Sequence, residues 1–259
     1  MQTPVRQSAR HRPQLILLGG FKLIVHGSPV TVPIHAQRVL AYLSVVQPNQ
    51  PVHPRASLAE RLWSDVPANR SHASLRTALW RIRQADTHLV QASRETLRLS
   101  DTVDIDVRRG VAQAGRLITG PPDLQPQDVE LDTLLGDLLP GWDEDWLLLE
   151  RERLRQVQVH ALETLTHRLR RLGRFAEAVE AAYAAIAHEP LRESAHAALI
   201  DVFLAEGNIA QARRQLTRYA GMLWTEMRVA PSPALTGRVT GAGGEAQPTD
   251  VVLATSPVR

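Results

Sequence analysis

Two stretches of the chain, LGRFAEAVEAAYAAIAHEP and EGNIAQARRQLTRYAGM, superimpose with Gly173 over Gly207 and Ala178 over Ala212, a period of 34 residues. Upstream, Leu165 over Leu199 and Leu169 over Phe203 keep the same register. A fixed period marks one structural unit used twice. Each copy has small and apolar residues at helical spacing on either side of a glycine, which makes the unit a pair of closely packed helices. Such a pair cannot bury its apolar face alone, and two copies fall short of the roughly three that a free-standing stack needs. Neighbouring helices, read over residues 144–171 and 104–118, are therefore expected to complete the core.

The period is that of tetratricopeptide repeats. The N-terminal part of the chain follows a different rule. LILLGG and FKLIVHG are short, partly alternating apolar runs, and a GSP turn leads to PVTVP, so the chain opens with three strands. IHAQRVLAYLSVVQ then places Val39, Leu40, Leu43 and Val46 at helical spacing, and the prolines of QPNQPVHP end that helix. SLAERLWSDV predicts a second helix with a capping box between Ser57 and Glu60. VPAN closes it, and Ser71 opens a third helix. LVQASRETLRLSD reads as a hairpin. A small sheet, three helices and a hairpin in that order make a winged helix, a helix-turn-helix variant backed by sheet.

The third helix carries the sequence HASLRTALWRIRQ over residues 72–84. A turn of about 100° per residue puts Leu75, Leu79 and Ile82 on one stripe with Ala78 at its edge. Thr77, Trp80, Arg81 and Gln84 face the other way, flanked by Arg76 and Arg83, with Ser74 near the N-terminal end. A charged outer face is the rule for amphipathic helices, but an outward tryptophan among arginines calls for something to lie against. Position between a short helix and a hairpin makes double-stranded DNA the expected partner.

Charge distribution points the same way. Residues 1–110 hold 15 Lys+Arg against 7 Asp+Glu, net +8, and the remainder holds 15 against 20, net −5. Lys22 is the only lysine. Arginine's planar fork suits phosphate and base edges, although a GC-rich genome would give the same bias. Between Arg116 and Arg151 there is no basic residue but nine acidic ones, three of them in WDEDW at the start of the long helix. Their expected role is to cap that helix and complement its dipole, because no base, pocket or glycine turn accompanies them.

GGFKLIVHGSPVTVPIHAQRVLAYLSV, RASLAERLWSD, SLRTALWRIRQA and LLPGWDEDWLLLERERLRQVQVHALETL, in this order, resemble the SARP family of transcriptional regulators across residues 15–230. Those proteins join an OmpR-type winged helix to a bacterial transcriptional activation domain, and the resemblance is to the small form without an ATPase extension. It implies that the third helix enters the major groove, with Thr77, Ala78 and Arg81 at base-reading positions and Ser74 and Arg83 at phosphate-contacting ones. Arg76 and Trp80 are grouped with the phosphate contacts, and Arg94 is the wing residue. Two departures stand out: Trp80 replaces a small or polar residue, and the hairpin tip SRET lacks a glycine.

The expected architecture is thus an α+β N-terminal winged helix over residues 14–103, then an all-α tetratricopeptide-like helical domain over 104–230. Residues 1–13 and 231–259 are expected to be disordered, the latter for their Gly, Pro, Ser and Thr content. Absence of cysteine removes disulfides, thiolate metal sites and cysteine nucleophiles. No GxxxxGK[ST] loop or GxSxG elbow occurs, and the ten histidines are scattered. No enzyme activity, cofactor or metal is expected. No signal peptide or run of about 18 apolar residues is found, so the expected place is the cytoplasm, at the nucleoid, and not a membrane. The expected function is sequence-specific transcription activation, as a homodimer on direct repeats near promoters that contacts RNA polymerase holoenzyme. The sign of the effect comes from the resemblance alone. The alternative is a helical-repeat adaptor for a protein or ligand, whose winged helix makes protein contacts.

Overall fold

A computed structural model describes residues 12–46, 52–121 and 123–241. The chain opens with β1 (Gln14–Ile16), β2 (Lys22–Val25), β3 (Ser28–Val30) and α1 (Ile34–Val45), then β4 (His53–Pro54), α2 (Arg55–Leu62) and α3 (Ala68–Ala85). The hairpin is β5 (Val90–Ala92) and β6 (Thr96–Leu99), followed by β7 (Asp104–Ile105), α4 (Asp106–Thr119) and α5 (Asp132–Leu135). The rest is helical: α6 (Asp145–Arg171), α7 (Phe175–His188), α8 (Glu193–Ala205), α9 (Ile209–Met227) and α10 (Pro233–Gly241). This is a winged helix followed by a tetratricopeptide-like helical domain. By contact density the chain divides between Ala161 and Leu162, inside α6. The 103/104 boundary read from the sequence divides it by another criterion, the end of the hairpin.

In the first unit, one sheet has the order β3-β2-β1-β7, with β1 antiparallel to β2 and parallel to β7, and the other has the order β4-β6-β5. The expected strands are all present, but β4 and β7 have only two residues each, too short for an alternation to register. The turn between β2 and β3 is His26–Gly27, both at positive φ, rather than the GSP of the sequence reading. That two-residue turn matches the twist of the strands it joins. The predicted α1 stripe is buried, Val39, Leu40, Leu43 and Val46 alike, and so is the α3 stripe of Leu75, Leu79 and Ile82.

Both predicted helix starts are corrected. α2 begins at Arg55 after Pro54, with no side-chain cap, so Ser57 lies within the helix. The Arg55 N–H donates to Glu95 O of the hairpin at 2.8 Å, so the strand pairing of β4 sets the start. α3 begins at Ala68 after Pro67, which places Ser71 in its interior, buried, with its hydroxyl donating to Ala68 O. In both, proline's fixed φ launches the helix where a serine had been expected to.

The acidic segment before α6 is built into this unit. Glu144 pairs with Arg38 of α1 at 2.7 Å and accepts from Trp146 Nε1 at 3.1 Å. Trp142 stacks on Phe21 and Trp146 meets Tyr42 edge-on. Arg151 donates to the carbonyls of Leu138, Leu139 and Trp142, holding a turn in which Leu139 has a φ of 45°. Asp128 is buried and accepts from Arg116 Nε and Gln125 N. Asp106, also buried, accepts from Leu17 N, Leu18 N and Val107 N at 2.7–3.0 Å, tying the start of α4 to the end of β1.

In the second unit the repeat is literal. Gly173 and Gly207 have φ of 71° and 80°. Arg174 N donates to Leu169 O, as Asn208 N does to Phe203 O, and Gly173 N donates to Arg170 O, as Gly207 N does to Leu204 O. This repeated 6→1 and 4→1 pattern is a helix stop that a glycine in the left-handed region permits. Ala178, Ala212, Leu165, Leu199, Leu169 and Phe203 are all buried. The sequence reading placed residues 231–241 in a disordered tail; they hold α10, whose Leu235 and Val239 enter a core with Leu199, Tyr219 and Leu223. A spacing of four residues puts both on one face, short enough to be masked by the surrounding Gly and Thr.

His196 pins this unit: its ring stacks on Tyr219 at 4.1 Å, Nε2 meets Pro190 O at 2.9 Å and Nδ1 meets the Gln215 amide at 2.8 Å. Burial holds its pKa below the ordinary histidine value, and burial does the same for His53 and His167. A histidine whose folded pKa is depressed contributes stability that is present above about pH 6.5 and lost as the pH falls below it. Urea unfolding midpoints are therefore expected to drop from pH 7.5 to 5.5, and His196→Asn to reduce that drop. An unchanged pH dependence in the variant would rule out His196 as a source.

Candidate nucleic-acid interface

Leu75, Ala78, Leu79 and Ile82 hold α3 in the core of the first unit, against α1 and α2. Its opposite face presents Arg70, Arg76, Thr77, Trp80, Arg81, Arg83 and Gln84, all exposed, and Ser74 half-buried. Arg94 is exposed at the tip of the hairpin, where the Ser93 hydroxyl accepts from Glu95 N and Thr96 N and so does the work of the missing glycine. Arg55 Nη1 donates to Ser93 O at 3.1 Å and ties the start of α2 to this tip.

Nine arginines elsewhere are tied up in ion pairs: Arg38, Arg98, Arg109, Arg116, Arg153, Arg155, Arg174, Arg192 and Arg238. Among the described residues no ion pair involves Arg70, Arg76, Arg81, Arg83 or Arg94. The face is thus a row of uncompensated guanidinium groups. Arg98, on β6 of the hairpin, is paired with Asp101.

Trp80, the outward aromatic, has a neighbour within the chain. It is 52% exposed, and Arg81 Cζ lies 4.7 Å from its ring centroid. A cation over an indole face is held at a cost in freedom already met before any partner arrives. The Thr77 hydroxyl donates to Ala73 O at 3.1 Å, leaving its oxygen free to accept further bonds. Ala78, which the helical spacing put at the edge of the core stripe, is buried at 1% exposure, so its side chain is packed inside rather than offered on the outward face where the family resemblance had it reading a base. It joins the hydrophobic core of this unit with Leu75, Leu79 and Ile82.

Two features escaped sequence reasoning. Arg70 joins the face because the helix starts at Ala68; the signal was Pro67, whose fixed φ sits immediately before the first turn. Arg55, His72 and Arg76 line a notch of about 120 Å³ beside Leu75. His72 Nε2 has no hydrogen-bond partner there. Contact between α2 and α3 creates the notch, and no sequence spacing announces it.

Among the described residues no cluster of metal-ligating side chains occurs, and no helix is long and apolar enough to cross a membrane.

Residues 131–239 match the family model described as the bacterial transcriptional activator domain. No curated protein matches the chain. A solved structure of Mycobacterium tuberculosis EmbR, in complex with a low-affinity phosphopeptide, is similar with a TM-score of 0.72 and 22% identity, over 89% of this chain and 65% of that one. The chain therefore spans about two thirds of the length of the solved protein it matches, and at this identity the likeness is one of fold.

Proposed function

We infer that this chain, a transcriptional regulator of the SARP family, binds double-stranded DNA with the exposed face of α3 and reads sequence chiefly through Arg81. The observation that carries this is the row of arginines without internal partners on one face of a helix whose other face is core. A guanidinium left unpaired in the folded chain is available for phosphate or for guanine O6 and N7. Arg81, stacked on Trp80, is the base reader with Thr77 beside it. Ser74, Arg76 and Arg83 take phosphates, the notch of Arg55, His72 and Arg76 offers a seat for one more, and Arg94 approaches from the hairpin. Trp80 supports Arg81 and packs on the sugar-phosphate backbone.

Two copies on direct repeats, held by their activator domains and offering a surface to RNA polymerase, complete the reading, which places the protein at the nucleoid. Exposed Asp143 and Asp145 are available for such a contact, whereas Glu144 is committed to Arg38.

Genomic footprinting would supply a cognate site, and gel-shift titration on it against random DNA tests the reading. Log affinity is expected to fall steeply with log salt, because each neutralised phosphate releases counterions. Arg83→Ala should weaken both DNAs alike and flatten that slope by about one. Equal affinity for cognate and random DNA would refute sequence reading; a slope near zero would refute DNA binding.

A further inference from the structure

The first unit contains a cavity of about 270 Å³ between α1, α4 and α6. Its walls are apolar: Val45 from α1, Val107, Val111 and Ala112 from α4, Leu154 and Val157 from α6. Ser44, the remaining α1 residue there, has its hydroxyl already donated to Leu40 O at 2.6 Å. Three charged residues, Arg108, Glu150 and Arg153, reach the same space. It is at the small end of ligand-sized sites, and apolar walls with a few convergent polar groups are the usual makeup of one.

The three charges are not equivalent. Glu150 and Arg153 pair with each other at 3.6 Å. Arg108 is half-buried and makes no hydrogen bond or ion pair among the described residues. Burial pushes its pKa below the ordinary arginine value, while the nearest opposing influence, Asp101, is itself paired with Arg98. Arginine stays charged, so the cavity edge holds one desolvated cation in want of an anion.

We propose that this cavity binds a small apolar monocarboxylate, an alkyl chain or single ring whose body lies against Val45, Val107, Leu154 and Val157 and whose carboxylate pairs with Arg108. Charge complementarity selects the class. A neutral molecule of the same shape would leave the guanidinium desolvated and unpaired, and an amine would meet it as a like charge, with the carboxylate that lines the cavity, Glu150, already engaged by Arg153. A carboxylate matches the guanidinium fork with two parallel hydrogen bonds. The site is separate from the α3 face and does not depend on the DNA-binding reading.

The test uses the full chain and three probes of equal length, octanoate, 1-octanol and octylamine, titrated by calorimetry. Octanoate is expected to bind saturably and raise Tm, 1-octanol to bind at least tenfold more weakly, and octylamine not to bind. Arg108→Gln should cost octanoate at least tenfold while leaving 1-octanol unchanged, with folding checked by circular dichroism. Should that variant not fold, Arg108→Lys, which keeps the charge and loses the fork, is expected to weaken octanoate alone. Methyl resonances of Val45, Val107, Val111 and Val157 should move on octanoate addition. Equal binding of octanoate and 1-octanol, octanoate affinity untouched in the Arg108 variants, methyl shifts confined to other valines, or no saturable binding would each overturn the proposal.

Discussion

Replacing Asp106 by alanine is expected to lower the unfolding free energy by roughly 2–4 kcal/mol. Its carboxylate accepts from Leu17 N at 3.0 and 2.9 Å, from Leu18 N at 2.9 Å and from Val107 N at 2.7 Å. Each donor orphaned away from water costs about 1–3 kcal/mol, and part is offset because the variant no longer has a carboxylate to desolvate. Leu17 is fully buried, so water does not replace the lost acceptor at that N–H. The negative charge also sits at the first turn of α4, where the helix dipole favours it by a few tenths to about 1 kcal/mol. Asp106→Asn keeps one acceptor oxygen and should lose less than Asp106→Ala. Urea unfolding of both variants measures this; a loss below about 1 kcal/mol for alanine would mean that the two strand-end amides find other partners.

Arg81→Ala is expected to cost about 1–3 kcal/mol on the cognate DNA site, and to relax sequence preference at the base it faces. The effect on random DNA should be smaller, which separates Arg81 from Arg83. The structure adds a partner to this prediction. Trp80 holds the Arg81 guanidinium at 4.7 Å from its ring, so Trp80→Ala should loosen Arg81 as well as remove a contact surface. A cation–π contact at an exposed site is worth about 0.5–1 kcal/mol. A double-mutant cycle on cognate DNA should therefore give a coupling of that size, and Trp80→Phe, which keeps a ring face, should retain part of it. Additive losses would mean that the tryptophan acts on DNA independently of Arg81.

How much was legible depended on how far apart the partners lie. Leu75, Leu79 and Ile82 announced the buried side of α3 by spacing alone, and Gly173 and Gly207 announced two helix stops by recurring. Spacing put Ala78 at the edge of the α3 stripe, and burial places it inside; the base-reading role came from the resemblance and not from the spacing. The start of α3 was misplaced because a serine is a good cap in the abstract, whereas Pro67, four residues earlier, is the cap residue from which the helix starts. WDEDW was legible as a helix start, but its two tryptophans and Glu144 also reach Phe21, Tyr42 and Arg38, more than 100 residues back in the chain.

The sequence by itself determined the elements whose causes are local: the period of the helix pairs, the amphipathic faces of α1 and α3, the hairpin, and a net positive N-terminal part. Local rules suffice there because side chains three or four residues apart on a helix, or two apart on a strand, are forced onto one face. The tertiary structure decided which arginines stay unpaired, that Arg81 lies on Trp80, that Asp106 caps two strand-end amides 88 and 89 residues away, and that Arg108 borders a cavity without a counter-ion. Whether a charge is neutralised or left available depends on distances between elements, and no spacing along the chain encodes them.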